Sequence, residues 1–175
     1  MGMKDSKEIF NLITGKGKEF DLSLCGMFAM DTMRMEKGYL HWGHDMSPEE
    51  NQYEAGLGFA ISYKKNVDFI GKGALLKIKD QKPKKKLVIF SLKENKPGFP
   101  LLLHDEPILS DGKIVGRTTS GNYSFNFEKN MAFGYVNSGL NLNGKDIEIE
   151  VEKTKYKAII ETKPLHDPDN KIIKN

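Results

Sequence analysis

The chain has 175 residues, of which 38% are hydrophobic, 10% aromatic and 29% charged. That suits one ordinary domain, or a small domain with part of another, and excludes wholesale disorder and fibrous structure. A net charge of +3, from 27 basic against 24 acidic residues, is too balanced to point to nucleic acid. No apolar run approaches the roughly 20 residues of a membrane span, and the charged N-terminus does not read as a signal peptide. Cys25 is the one cysteine, so no internal disulfide framework or Cys-based zinc cluster is expected and a reducing, cytoplasmic setting is the default.

In chain order, Asp5 and Glu8 have capping-box spacing, and Ile9, Phe10, Leu12 and Ile13 follow at helical intervals to about Lys18. A second helix is expected from Met27 to Lys37, with Gly38 as its C-terminal stop. Residues 39–53 are polar and irregular. Leu57 to Tyr63 reads as a strand, and Gly73 to Asp80 as a short helix. The run Lys82-Pro83-Lys84-Lys85-Lys86 reads as a solvated linker rather than a nucleic-acid patch.

The second half has a strand rhythm. Leu87 to Leu92 suits a buried strand. Asp111-Gly112 is a hairpin signal between Pro107–Ser110 and Lys113–Thr119. Ile147, Ile149 and Val151 alternate with Glu148, Glu150 and Glu152, which predicts one buried face and one carboxylate face. Tyr156, Ala158 and Ile160 mark the partner strand. Short strands divided by Gly, Asn and Pro indicate a small antiparallel barrel or sandwich. The fold class is therefore α+β, with domains over 1–80 and 85–170.

Weighed residue by residue, the chemistry is sparse. His41-Trp42-Gly43-His44-Asp45 has two imidazoles and a carboxylate, but a hydrogen-bonded loop is the better reading and no metal is assigned. Gly56-Leu57-Gly58 lacks the third glycine of a dinucleotide turn, and Ser120-Gly121 is not a nucleophile elbow. The methionines at 27, 30, 33 and 35 read as core filling. There are two arginines, Arg34 and Arg117, and so at most two bidentate anion clamps. Arg117 reads as exposed or paired to a carboxylate.

Several ordered segments carry a specific resemblance: residues 26–39, with Arg34-Met35-Glu36-Lys37-Gly38-Tyr39; His41 to Asp45; and Tyr53-Glu54-Ala55-Gly56-Leu57-Gly58-Phe59-Ala60. They are joined by residues 68–75, Asp105 to Ile108, Gly112 to Gly116, Thr119-Ser120-Gly121 and Gly134-Tyr135-Val136. Pro164 to Pro168 resembles the same family's final strand and tail. Together they resemble the folate-binding aminomethyltransferases: the glycine cleavage T-protein, and the module shared by dimethylglycine and sarcosine dehydrogenases. The wording around Arg34 and Trp42 is nearer the dehydrogenase branch.

The resemblance implies a partial helix-and-strand folate-binding domain followed by a small antiparallel β-barrel. It implies part of a tetrahydrofolate-dependent one-carbon (aminomethyl or methyl) transfer module, in which folate captures a one-carbon unit from an amine. The family's N-terminal segments, with the aspartate credited with the chemistry and the pteridine-binding glutamate, are not matched. No catalytic residue is therefore assigned, the chain is expected not to be catalytic alone, and it has no flavin site. The implied partner is an N-terminal aminomethyltransferase or flavin-dehydrogenase chain; neither nucleic acid nor membrane is implied. The alternative is a non-catalytic interaction subunit that completes another chain. The implied folate-binding positions are Met30, where T-protein has an arginine, Phe59, where it has a tryptophan, and Arg34. Arg34 and Glu36 also read as an ion pair that pins the helix to the following loop.

Overall fold

The computed structural model describes residues 2–140 and 146–174. The chain divides into two compact units, Met1–Met30 and Asp31–Asn175.

The first unit holds helix α1 (Met3–Gly17), a 3-10 turn (Lys18–Phe20) and the first residues of helix α2 (Met27–Lys37). The expected capping box does not form. Gly2 is the N-cap without a side-chain bond, the Asp5 N–H donates to Gly2 O, and Asp5 lies inside the first turn. There its charge still suits the positive end of the helix dipole. Phe10, Leu12, Ile13, Phe20, Leu24 and Phe28 are all exposed. None of the side chains described in residues 5–30 is buried.

In the second unit, α2 ends as its sequence predicts. The Gly38 N–H donates to Met35 O and the Tyr39 N–H to Arg34 O, the paired bonds of a Schellman stop, with Gly38 at φ 78°. Thr32, Met35 and Glu36, spaced three and four apart, form the buried face of α2 with Lys37 beside them. Of the four methionines read as core filling, only Met35 is buried, because Met27, Met30 and Met33 lie off that face. The strand expected over Leu57 to Tyr63 is instead a 3-10 turn, Gly58–Ala60, entered through left-handed Gly56 at φ 73°. The Ala60 and Ile61 N–H groups bond to Leu57 O and Gly58 O, and this local closure takes up donors a strand ladder would need. Helix α3 spans Lys72–Ile78.

Six antiparallel strands close a barrel in the order β1-β4-β3-β2-β5-β6. They are β1 (Lys85–Leu92), β2 (Pro107–Ser110), β3 (Lys113–Ser124), β4 (Lys129–Asn137), β5 (Ile147–Val151) and β6 (Thr154–Glu161). The lysine run is therefore not all linker: Lys85 and Lys86 pair with Asn137 and Val136 on β4. Asp111 and Gly112, at φ 50° and 75°, make the β2–β3 turn with the signs a tight hairpin requires. Ile147, Ile149 and Val151 face inward as expected, and Glu148 and Glu150 stand opposite Lys157 and Lys155. Glu152 belongs to the β5–β6 turn, at φ 49°, rather than to the carboxylate face. No described strand follows β6, so Pro164 to Pro168 form a tail without a strand.

Phe90, Leu92, Ile108, Val136 and Ile149 fill the barrel. β4 is buried on both faces, which explains its unbroken Met131-Ala132-Phe133-Gly134-Tyr135-Val136 run. Its outer residues Met131 and Phe133 pack with Met35 in a second cluster, joined by Leu40, Leu87, Ile89 and Leu165.

Candidate functional site

The second cluster is roofed by a polar knot centred on Asp45, which is fully buried. Its Oδ1 accepts from Thr119 Oγ1 at 2.6 Å and Ser120 Oγ at 2.7 Å. Its Oδ2 accepts from Arg34 Nη1 and from the His41 N–H at 2.9 Å. Four donors match the capacity of an ionised carboxylate. The backbone carbonyl of Asp45 accepts from Tyr135 Oη at 2.9 Å. Burial, followed by the nearby carboxylates Glu50, Asp45 and Glu54, pushes the Tyr135 phenol above the usual tyrosine range.

Adjacent strand residues normally point to opposite faces, so Thr119 and Ser120 should not both reach one carboxylate. The register of β3 on β4 explains why they do. Thr118 pairs with Gly134 and Ser120 with Phe133, leaving Thr119 as the extra residue of a bulge. Bulges re-aim side chains, and this one turns two hydroxyls onto Asp45.

Arg34 directs all three of its guanidinium nitrogens onto protein groups. Nε and Nη2 contact Asp31 Oδ1 at 2.7 Å, Nη1 reaches Asp45 and Tyr39 O, and Nη2 donates to Ser120 Oγ at 2.7 Å. Its guanidinium carbon stands 5.4 Å from the centroid of the Phe133 ring. Glu36 is not its partner, since residues two apart on a helix point to different sides. Glu36 accepts instead from Ser124 Oγ at 2.6 Å and Asn126 Nδ2 at 2.8 Å. The expected pinning of helix to loop is present, but Asp45 provides it.

A second fastening lies at the end of α2. Lys37 Nζ donates to Asp167 O, Asp167 Oδ2 and Asn170 Oδ1, at 2.6, 3.0 and 2.7 Å. Burial raises the Asp167 carboxyl, but the bonds from Lys37 and from the Ile172 and Lys171 N–H groups outweigh it and hold the group down to about 2.

The positions implied for folate have different surroundings. Met30 is 55% exposed on α2 and Phe59 is 87% exposed in its 3-10 turn. Both present apolar surface to solvent, and no described contact joins them. Arg34 is enclosed by protein partners. Sequence reading missed Asp31, Ser120 and, through Asp45, Thr119 as its network; the i,i+3 spacing of Asp31 and Arg34 on one helix could have shown the first, whereas Thr119 and Ser120 arrive only through the fold. His41 and His44 have ring centroids 4.6 Å apart and lie on the surface, whereas Asp45 turns inward, so the three are not gathered on one point. Among the described residues, no group of three or more His, Cys, Asp or Glu is placed to hold a metal. Arg117 is exposed on β3. A separate cavity of about 520 Å³ is lined by Tyr53, Glu54, Lys82 and Lys85 among others, and by neither Arg34 nor Phe59. Among the described residues, no helix is long and apolar enough to cross a membrane.

Two family descriptions match in order: the GCVT N-terminal domain over residues 1–65, and the glycine cleavage T-protein C-terminal barrel domain over residues 85–167. The chain belongs to the glycine cleavage T-protein family. It is 36% identical to human mitochondrial dimethylglycine dehydrogenase over 162 residues, covering 93% of this chain and 18% of that protein. It is also 36% identical to the aminomethyltransferase of Symbiobacterium thermophilum over 163 residues, covering 93% of this chain and 42% of that one. The fold matches the crystal structure of glycine cleavage system aminomethyltransferase T from Bartonella henselae, with a TM-score of 0.79 and 20% identity over 96% of this chain and 45% of that one. The chain thus spans less than half the length of these relatives.

Proposed function

We propose that this chain forms part of a tetrahydrofolate-dependent one-carbon transfer module and contributes binding surface rather than the reacting group. What carries the proposal is the 36% identity to an aminomethyltransferase and to a dimethylglycine dehydrogenase over 93% of the chain. Bound tetrahydrofolate would supply the amine that accepts the one-carbon unit. Phe59 fits such a ligand as an exposed apolar contact; Met30, also exposed, is taken from the resemblance alone. Arg34 does not fit as a direct ligand, because its donors are already engaged. Holding a folate and an amine side by side accelerates capture through proximity, with no acid or base required from these positions. The expected setting is cytoplasmic.

The test is calorimetric titration of the 175-residue chain with tetrahydrofolate. Weak, saturable binding that Phe59→Ala reduces supports the reading. Absence of binding at millimolar ligand overturns it, and unaided amine demethylation overturns the assignment as binding surface only.

A second reading is favoured by the exposed Phe10, Leu12, Ile13, Phe20, Leu24 and Phe28 in the first 30 residues. So many large apolar side chains without a buried one among them mark a surface that another polypeptide covers. On this reading the chain completes a partner that carries the rest of an aminomethyltransferase or flavin-dehydrogenase module. Co-elution with such a partner on a sizing column, lost in Leu12→Asp, is expected; a monodisperse monomer beside the partner refutes it.

A further inference from the structure

We propose that Trp42 is a ring-stacking residue of the folate site, and that Asp45 and Arg34 are positioning residues that hold it out to the ligand. The ligand's chemistry rests on the folate reading above; the placement of Trp42 rests on the structure of its loop.

Residues 41–46 contain one buried side chain, and it is the charged one. Loops are usually fastened by their apolar residues, since burial of apolar surface is the favourable term. Here the order is inverted. Asp45 is drawn fully inside and met by four donors, while Trp42, the largest apolar side chain in the loop, is 63% exposed. A buried ion pair is a poor source of stability, because its desolvation offsets most of its attraction. It does fix geometry, through the arginine fork and the directionality of each bond. The loop's own backbone adds to this: the Gly43 N–H donates to Met46 O at 2.8 Å, and the Asp45 N–H to His41 O at 2.9 Å. The result is an indole exposed to solvent on a backbone fastened from beneath.

An aromatic side chain carried on a backbone held in this way has only its own side-chain freedom left to lose when a flat ring settles on it, which is the advantage of preorganisation. The ligand class is a flat heteroaromatic or aryl ring, as in the pyrimidine and aminobenzoyl parts of tetrahydrofolate. An offset-stacked ring of this kind is worth roughly a five- to tenfold change in affinity.

Trp42 is the one tryptophan in the chain, so its fluorescence reports on this loop alone. The experiment measures tetrahydrofolate affinity by calorimetry for the wild type, Trp42→Ala, Asp45→Asn and the double variant, with emission and acrylamide quenching of Trp42 recorded in Asp45→Asn and Arg34→Lys. Expected are a roughly five- to tenfold loss in Trp42→Ala, a comparable loss in Asp45→Asn, and no further loss in the double variant, because Asp45 acts through Trp42. Quenching of Trp42 should increase in Asp45→Asn and in Arg34→Lys alike. The latter keeps the positive charge but not the loop's position, since an ammonium lacks the guanidinium fork. If Asp45→Asn does not fold, Thr119→Ala takes its place, removing one of the four donors. Wild-type affinity in Trp42→Ala overturns this inference and leaves the folate reading standing. No binding by the wild type overturns both. Additive losses in the double variant overturn the positioning role.

Discussion

Asp45→Asn tests whether the knot is held by charge or by shape. Asparagine keeps the volume, removes the charge and replaces one acceptor oxygen with an NH₂ group. The best placement turns that NH₂ toward Thr119 and Ser120, whose hydroxyls can rotate to accept. The carbonyl oxygen then stays with Arg34 and the His41 N–H, the contacts Oδ2 makes now. What is lost is the buried ion pair, since the guanidinium keeps only Asp31, whose side chain is 31% exposed. Breaking a buried pair from one side costs about 3–5 kcal/mol. The surviving Asp31 contact puts the expectation at the lower end, about 3 kcal/mol. With a urea dependence of roughly 2 kcal/mol per molar, the unfolding midpoint should fall by about 1.5 M. Asp31→Asn is the control: it removes the other carboxylate on the same arginine, but a partly exposed one, and should cost less than about 1 kcal/mol. Both are read by circular dichroism in urea at neutral pH. Equal shifts for the two variants, or a shift under about 0.3 M for Asp45→Asn, would refute the claim that the buried carboxylate governs the knot.

Ile149→Ala should cost about 2–5 kcal/mol in urea melts, whereas Glu150→Gln, half-buried opposite Lys155, should cost less than about 0.5 kcal/mol; equal costs would mean the facing of β5 is wrong. Asp167 has a folded-state carboxyl held at about 2 against an ordinary 3.8, so its stabilising contribution is complete above about pH 4 and is lost as pH falls from about 4 toward 2. In Asp167→Asn the acid side of the stability profile over that window should be flatter; an unchanged slope would show that Lys37 does not hold an ionised partner there. Gly38→Ala should destabilise by more than about 1 kcal/mol, because φ is 78° and the added Cβ would lie 2.7 Å from Pro164 Cγ; an unchanged midpoint would contradict both the backbone and the packing argument.

The parts legible in the sequence are those that local chemistry dictates. Asp111-Gly112 specified a tight turn, the alternation of Ile147, Ile149 and Val151 specified a facing, and Gly38 specified a helix stop. Each is decided within a few residues, and each is found where expected. Leu57 to Tyr63 shows the limit of the same method. A short apolar run has no period of its own to separate strand from turn, and here Gly56 directs the chain into a 3-10 turn. The knot was not legible for a different reason. Asp45 meets Thr119 and Ser120 across 74 and 75 residues, and both hydroxyls reach it only because of a bulge whose position depends on β4. Arg34 could be singled out as one of two arginines, and the two-residue spacing on a helix argues against Glu36, but nothing local identifies Asp45 as its partner.

The barrel and the knot are stabilised by different forces, and that difference decides where function is sensitive. Phe90, Ile108 and Ile149 stabilise the barrel by removing apolar surface from water, a force without direction, so volume-conserving changes there alter stability more than geometry. Asp45, Arg34, Thr119 and Ser120 hold the 41–46 loop through hydrogen bonds that exist only over a narrow range of distance and angle. A change of the same stability cost in the knot therefore also changes where the loop sits. β4 connects the two regimes, with Ala132 and Val136 facing the barrel interior and Phe133 beneath the Arg34 guanidinium. A well-packed barrel is thus the fixed floor on which the polar knot sets the loop, and substitutions should divide into those that lower stability alone and those that lower stability and move the loop together.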